Sequence, residues 1–157
     1  MKFFTGLFQP KVAYAHCDVP CGIYDPHNAQ MAAHTVLRMT KMIEDLKNED
    51  EKKFVHQLSR LQKVKEEHAE LLKSEVRIIW GDYFKAENYQ DLPLLHEKVF
   101  KIMKLASKVR QEVNLEACNE LMSATLEFAE IFYKSKGLEP VRVKSPYPTE
   151  GELVIYK

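Results

Sequence analysis

The chain has 157 residues, with 23 basic and 23 acidic side chains, 45% hydrophobic residues and 29% charged residues. This length suits one domain, and the composition is typical of a soluble globular protein. The balanced charge gives no reason to expect a nucleic acid partner. No apolar run approaches the ~20 residues of a membrane-spanning helix, so we expect no membrane association.

Residues 1–15 are predicted to form a leader that is removed by cleavage after Ala15. The segment ends in Ala13-Tyr14-Ala15, which superficially matches the cleavage site of a signal peptide. Its apolar stretch is short and is interrupted by Pro10 and Lys11. We therefore interpret it as a removable leader that is a poor export signal, and we expect a cytoplasmic protein.

Two amphipathic helices are predicted next, over about residues 25–48 and 49–84. Asp25 and Pro26 favour a helix start, because aspartate caps free amides and proline is preset for the first helical position. Apolar residues then recur at three- and four-residue steps, which gives each helix one apolar stripe. On the second helix we expect lysines and glutamates to lie opposite this stripe, which consists of Phe54, Leu58, Leu61, His68, Leu72, Val76, Ile79 and Tyr83.

Two further helices follow a connection over residues 85–91. Asp91 can start the third helix and Asn114 can cap the fourth, for which Gly137 is a plausible stop. Four amphipathic helices with mostly short connections predict an all-α fold, an antiparallel four-helix bundle. We expect the hook described below and the bundle to occupy residues 16–137, and residues 138–157 to form an extended C-terminal tail.

The sequence His16-Cys17-Asp18-Val19-Pro20-Cys21-Gly22 contains the strongest candidate for chemistry. If cleavage makes His16 the amino terminus, its amine and the backbone nitrogen of Cys17 can close a five-membered ring around a metal. The Cys17 nitrogen and thiolate close a second ring, and Cys21 supplies a fourth ligand. Such a square of two nitrogens and two sulfurs favours nickel or copper over tetrahedral zinc. We call residues 16–21 the hook.

Other interpretations of the hook remain open at this point. It could be half of a zinc site, although no second Cys/His pair with matching spacing follows. Cys17 and Cys21 could instead form a redox disulfide. Gly22, directly after the hook, permits a close backbone approach or a positive φ.

Two segments of the chain carry specific patterns. The first is His16-Cys17-Asp18-Val19-Pro20-Cys21-Gly22-Ile23-Tyr24-Asp25-Pro26, and the second is Trp80-Gly81-Asp82-Tyr83-Phe84-Lys85. Both resemble segments of the nickel superoxide dismutase family. The resemblance implies a four-helix bundle that assembles as a homohexamer, binds one nickel ion per subunit and loses a leader to a processing protease. It also implies disproportionation of superoxide to dioxygen and hydrogen peroxide.

The same resemblance assigns roles to individual residues. His16 would bind nickel through its amine and imidazole, Cys17 through its amide nitrogen and thiolate, and Cys21 through its thiolate. Four other residues would lie near the reacting superoxide. Tyr24 and Tyr83 would line the open face of the nickel, the backbone amide of Asp18 would lie near the substrate, and Lys85 would be a nearby cation.

The chain departs from the family at two positions whose side chains orient the imidazole of the histidine ligand in well-known members. Where well-known members have a glutamate and an arginine, this chain has Ala32 and His68. His68 could be a substitute, but a histidine on an apolar helix face is more often a satisfied core residue. Packing or solvent roles are expected for His27, His34 and His56, and a core role for Cys118.

Two alternative functions follow from the same sequence. A helical bundle could store or sense nickel or copper through the hook, which would need neither an open metal face nor proton delivery. A structural bundle could instead carry a disulfide between Cys17 and Cys21, with no metal. The tyrosines Tyr24 and Tyr83 favour the enzyme.

Overall fold

The computed structural model describes residues 22–85 and 92–157. Its helices are α1 (His27–Glu44), α2 (Glu51–Ile78), α3 (Leu92–Gln111) and α4 (Leu115–Ser135), and its strands are β1 (Pro140–Lys144) and β2 (Glu152–Tyr156). α1 packs against α2 and α4, and α3 packs against the same two helices. The predicted four-helix bundle is confirmed. In the described ranges, no helix combines the length and apolarity needed to cross a membrane.

Side-chain hydrogen bonds are present at two of the predicted helix starts, although α1 begins one residue later than expected, since Pro26 is its N-cap residue and not its first helical residue. The Asp25 carboxylate accepts a hydrogen bond from the His27 amide at 2.7 Å, and the Asn114 side chain accepts one from the Ala117 amide at 2.9 Å. Each satisfies an amide that has no partner within its helix. α4 ends at Ser135, shortly before the predicted stop.

The second predicted helix differs from the observed one at its C-terminal end. α2 ends at Ile78, and a π-helical turn covers Ile79–Tyr83. The Phe84 amide donates to the Ile79 carbonyl at 3.4 Å, a step of five residues. Such a turn is wider than an α-helical turn and is frequent at functional sites. It leaves Phe84 buried and Tyr83 half-buried.

Lys65 contradicts the expectation that every lysine of the second helix lies opposite its apolar stripe. Its side chain is fully buried, and its Nζ donates to the Glu112 carbonyl at 2.7 Å. The physical reason is that the lysine stem packs as an apolar chain, while the ammonium satisfies a carbonyl just beyond α3. Three residues of the predicted stripe are buried, and all three lie toward its C-terminal end: Leu72 and Val76 in α2, and Ile79 in the π-helical turn.

The predicted C-terminal tail folds back as an antiparallel hairpin. β1 pairs with β2 so that Pro140 lies opposite Tyr156, and the hairpin packs against α4. It also contacts α1 through Gln30, whose side-chain amide donates to the Val154 carbonyl at 3.1 Å and accepts from the Val154 amide at 2.7 Å. A buried glutamine thus serves as a hydrogen-bonding partner for the strand.

His34 has the packing role that was predicted for it, against the loop between the two strands. Its Nε2 donates to the Glu152 carbonyl at 3.0 Å, so its Nδ1 is the nitrogen that accepts from the Thr149 hydroxyl at 2.6 Å. A Cβ at Gly151 would lie 2.9 Å from the ring, so glycine permits this close approach. Burial lowers the pKa of His34, and the hydrogen bond to Glu152 opposes this shift.

Because buried His34 has a lowered pKa, we expect the stability of the fold to depend on pH. Because its folded pKa lies below the ordinary value of 6.5, the unfolded chain takes up a proton first as the pH falls. The free energy of unfolding should therefore decline below about pH 6.5 until the folded pKa is reached. Thermal melts between about pH 8 and pH 5 should show a steeper decline for the wild type than for His34→Gln. Equal slopes would contradict the prediction.

Candidate metal centre

The predicted nickel ligands His16, Cys17 and Cys21 lie outside the described residues, as does Asp18. The description starts directly after the hook, at Gly22, which has a φ of 83°. Residues other than glycine rarely adopt this value, so the structure shows one of the two uses expected for Gly22, a positive φ. Gly22 sets the direction in which the chain runs from the hook to α1. We call residues 22–26 the hook base.

Tyr24 of the hook base belongs to an aromatic cluster, which also contains Tyr83, Phe84 and Phe132. The rings of Tyr24 and Tyr83 have centroids 5.7 Å apart, and Tyr83 also contacts Phe84 and Phe132, both at 4.9 Å. Tyr24 belongs to the first matched segment and Tyr83 to the second, so the fold brings the two predicted tyrosines together. Such ring contacts fix the orientation of the half-buried Tyr83.

The hydroxyl of Tyr83 is oriented by Ser135, a residue that carries no recognisable motif. The two oxygens are 3.0 Å apart, and the Ser135 hydroxyl donates to the Phe132 carbonyl at 2.6 Å. A serine hydroxyl has one hydrogen, so Tyr83 must be the donor in the bond to Ser135. The proton of the Tyr83 hydroxyl is therefore used in the hydrogen bond to Ser135. The Tyr83 oxygen can still accept a hydrogen bond from another group.

One lysine contacts this cluster, and another directly follows it along the chain. Lys85 is exposed and directly follows buried Phe84. Lys136 was not predicted; its Nζ lies 5.5 Å from the centroid of the Tyr83 ring and 4.8 Å from that of Phe132. This distance allows a cation–π contact. Lys136 directly follows α4 and is far from Tyr83 in the sequence. Its place beside the Tyr83 ring is therefore known only from the packing of α4 against the π-helical turn.

The two positions that depart from the family lie on α1 and α2. Ala32 is a buried core residue with 1% exposure, and it offers no polar atom beyond its backbone. His68 is half-buried and donates from Nδ1 to the Val64 carbonyl of its own helix at 2.8 Å. This agrees with a satisfied histidine. That His68 replaces the missing support of the histidine ligand, through its other ring nitrogen Nε2, stays a prediction.

The donor set of the hook suits nickel better than any set in the described part of the chain. Residues 22–85 and 92–157 contain no group of three or more histidine, cysteine or acidic side chains that could hold a metal ion. Cys118 is buried and lies 3.3 Å from the Thr40 hydroxyl, and burial raises the pKa of its thiol. Its predicted core role is confirmed. Two thiolates with nitrogen donors, as in the hook, fit nickel or copper.

Comparison with known proteins decides between these metals. The family model for nickel-containing superoxide dismutase matches residues 11–136. The chain belongs to this family. As a nickel superoxide dismutase it is an oxidoreductase with one nickel ion per subunit. The matched range includes the hook, the aromatic cluster and all four helices of the bundle.

Individual relatives agree with this assignment. The nickel superoxide dismutase of Streptomyces coelicolor is 33% identical over 131 residues, which is 83% of this chain and 95% of the relative. That of Streptomyces seoulensis is 32% identical with the same coverage. A native nickel superoxide dismutase structure is 29% identical, with a TM-score of 0.67 over 77% of this chain and 99% of that one.

Proposed function

We propose that the chain disproportionates superoxide at a nickel ion held by the hook. One superoxide loses an electron and leaves as dioxygen, while a second gains that electron and two protons and leaves as hydrogen peroxide. The nickel, when bound, supplies a centre that alternates between the trivalent and divalent states. The observation that carries the proposal is the contact between Tyr24 and Tyr83, whose ring centroids are 5.7 Å apart, since a metal store needs no such pair of tyrosines.

The ligand set supports this redox role. The amine and imidazole of His16, the amide nitrogen and thiolate of Cys17 and the thiolate of Cys21 would hold the metal. Thiolates and a deprotonated amide donate charge strongly, which lowers the cost of oxidising nickel. The support of the His16 imidazole would differ here from that in well-known members because of Ala32 and His68.

The aromatic cluster would control the access of water and of other molecules to the metal that the hook would hold. Tyr83 offers an oxygen that accepts a hydrogen bond, because its own proton is directed to Ser135 at 3.0 Å. It is therefore suited to hold an ordered water rather than to give up its proton directly. That water, or a protonated cysteine thiolate, would deliver the protons, and Tyr24 would limit the approach of larger molecules.

Charge near the cluster would raise the local concentration of superoxide, a small anion. The amide of Asp18 would contact the substrate, and Lys85 and Lys136 would attract it. Lys136 supports this role because its ammonium lies over the Tyr83 ring. A cation–π contact holds the ammonium at the cluster without neutralising its charge.

Lys136→Met should therefore lower kcat/KM about twofold to threefold at low ionic strength, with little effect at high salt. Steady-state superoxide consumption as a function of salt measures this. Lys52→Met is the matched control, since exposed Lys52 lies near the far end of α2, roughly 45 Å along the helix from Tyr83. An unchanged salt slope in Lys136→Met would contradict the steering role.

The test of the proposed function compares the chain that begins at His16 with the full-length chain, both supplied with nickel. We expect only the shorter chain to bind nickel and consume superoxide, because only it has a free amine at His16. A shorter chain that binds nickel but does not consume superoxide would favour metal storage or sensing. A shorter chain that binds no nickel would favour a structural bundle.

Three further features belong to this proposal. A protease would remove residues 1–15, the subunits would assemble as a homohexamer, and the enzyme would act in the cytoplasm. Neither a nucleic acid nor a membrane would be a partner. The family resemblance supports the first two, and the short apolar stretch of the leader supports the third.

A further inference from the structure

The C-terminal hairpin lies beyond the part of the chain that matches the family, which ends at residue 136. It is nevertheless part of the packed molecule. Val154 is fully buried and is held by both hydrogen bonds to Gln30. On its other side, Arg142 pairs with Glu130 of α4 at 2.6 Å. The hairpin thus joins α4 to the first turns of α1, the helix that follows the hook base.

A series of contacts leads from β2 to the hook base. The ring of Tyr156 lies 5.2 Å from that of Tyr133, which is buried with 4% exposure. The Tyr133 hydroxyl donates to Asp25 Oδ1 at 3.3 Å. The same carboxylate oxygen accepts a hydrogen bond from the backbone amide of His27. Asp25 therefore has its position fixed from α1 and from α4 together.

The protonation of Tyr133 suits this contact. Burial, followed by the negative charge of Asp25, raises the pKa of Tyr133 far above its ordinary value. The phenol therefore keeps its proton at neutral pH and remains a donor to the carboxylate. A hydrogen bond to a charged acceptor is stronger than one between neutral groups.

We propose that Tyr133 and Tyr156 are positioning residues for the nickel hook, acting through Asp25. The inference rests on the proposed function. Asp25 is only four positions beyond Cys21 along the chain, so holding its carboxylate limits the arrangements open to the hook base before the metal binds. A site that is already ordered loses less conformational freedom on binding, and its affinity is higher for that reason.

The test measures the nickel dissociation constant by competition with a chelator, in the chain that begins at His16. Tyr133→Phe removes only the hydroxyl and should weaken nickel binding about threefold to tenfold, the effect of losing one such hydrogen bond. Tyr156→Ala, at a ring with 53% exposure, should weaken it about twofold to fivefold. The absorption of the nickel–thiolate centre reports the bound fraction independently of turnover.

Tyr147→Phe is the matched control, because it also loses one tyrosine hydroxyl. That hydroxyl contacts Met31 Sδ at 2.7 Å and has no link to Asp25 in the described contacts. We expect its nickel affinity to stay within about twofold of the wild type, even if the melting temperature falls.

The outcomes separate this inference from the proposed function. Wild-type nickel affinity in both Tyr133→Phe and Tyr156→Ala would overturn the inference and leave the dismutase intact. An equal loss of affinity in Tyr147→Phe would also overturn it, because general destabilisation would then explain the effect. A wild-type chain that binds no nickel would overturn both.

Discussion

Cys17→Ser and Cys21→Ser should each lower superoxide consumption to below about 1% of the wild type, because even residues that only support a metal ligand cost about 10- to 100-fold when they are changed. Each variant replaces a thiolate by a hydroxyl, which stays protonated at neutral pH and is a harder donor. Nickel in such a site loses a soft ligand and the charge that stabilises its trivalent state.

Metal content by mass spectrometry and superoxide consumption, both in chains that begin at His16, measure the result. Cys118→Ser is the control, since Cys118 is a buried thiol beside Thr40 and should keep nickel and activity at some cost in stability. Full activity in Cys17→Ser would show that the proposed ligand set is wrong. Equal loss in Cys118→Ser would point to a folding defect instead.

The second large effect is expected at Lys65, which is fully buried beside the end of α3. Lys65→Ala should lower the free energy of unfolding by about 3 kcal/mol, because it leaves a cavity where the stem packed and also leaves the Glu112 carbonyl without its partner. Lys65→Met keeps most of the packing and should cost only about 1 kcal/mol, the worth of the hydrogen bond. The side chain has no exposed surface.

Urea unfolding of the three chains measures these costs. Lys63→Ala is the control: this lysine is exposed and pairs with Glu67 at 3.7 Å, so its loss should stay within about 0.5 kcal/mol. Nickel affinity should not change in Lys65→Met, since Lys65 lies roughly 27 Å along the helix from Tyr83. A Lys65→Ala variant as stable as the wild type would contradict the buried role.

The helices could be predicted, and the hook could be proposed, because the determinants of both are local. Asp25 and Asn114 cap the helices that follow them, and apolar spacing alone defines the faces that pack. The hook is local as well, since amine, amide and two thiolates lie within six consecutive positions, residues 16–21. Local spacing could not predict the π-helical turn, because a single added residue in a helix leaves no pattern of its own.

The inward position of Lys65 and the partner of the tail required the tertiary structure. A lysine in the sequence of a helix is normally predicted to have a solvent-exposed side chain. Burial of Lys65 becomes favourable only because a carbonyl at the end of α3 lies beside it and accepts its hydrogen bond. In the same way, the apolar residues of β2 indicate an extended segment, but the side chain of Gln30 and the face of α4 decide where it packs.

The bundle and the family could be inferred from the sequence alone, since both depend on residue types at fixed spacings along the chain, and the ligand set proposed for the hook rests on such spacing as well. The tertiary structure, in contrast, is needed to know which distant side chains meet at the hook base. Ser135 and Lys136 join Tyr83, and Tyr133 joins Asp25. These contacts depend on how helix ends pack against one another, and no short-range pattern in a chain encodes that packing.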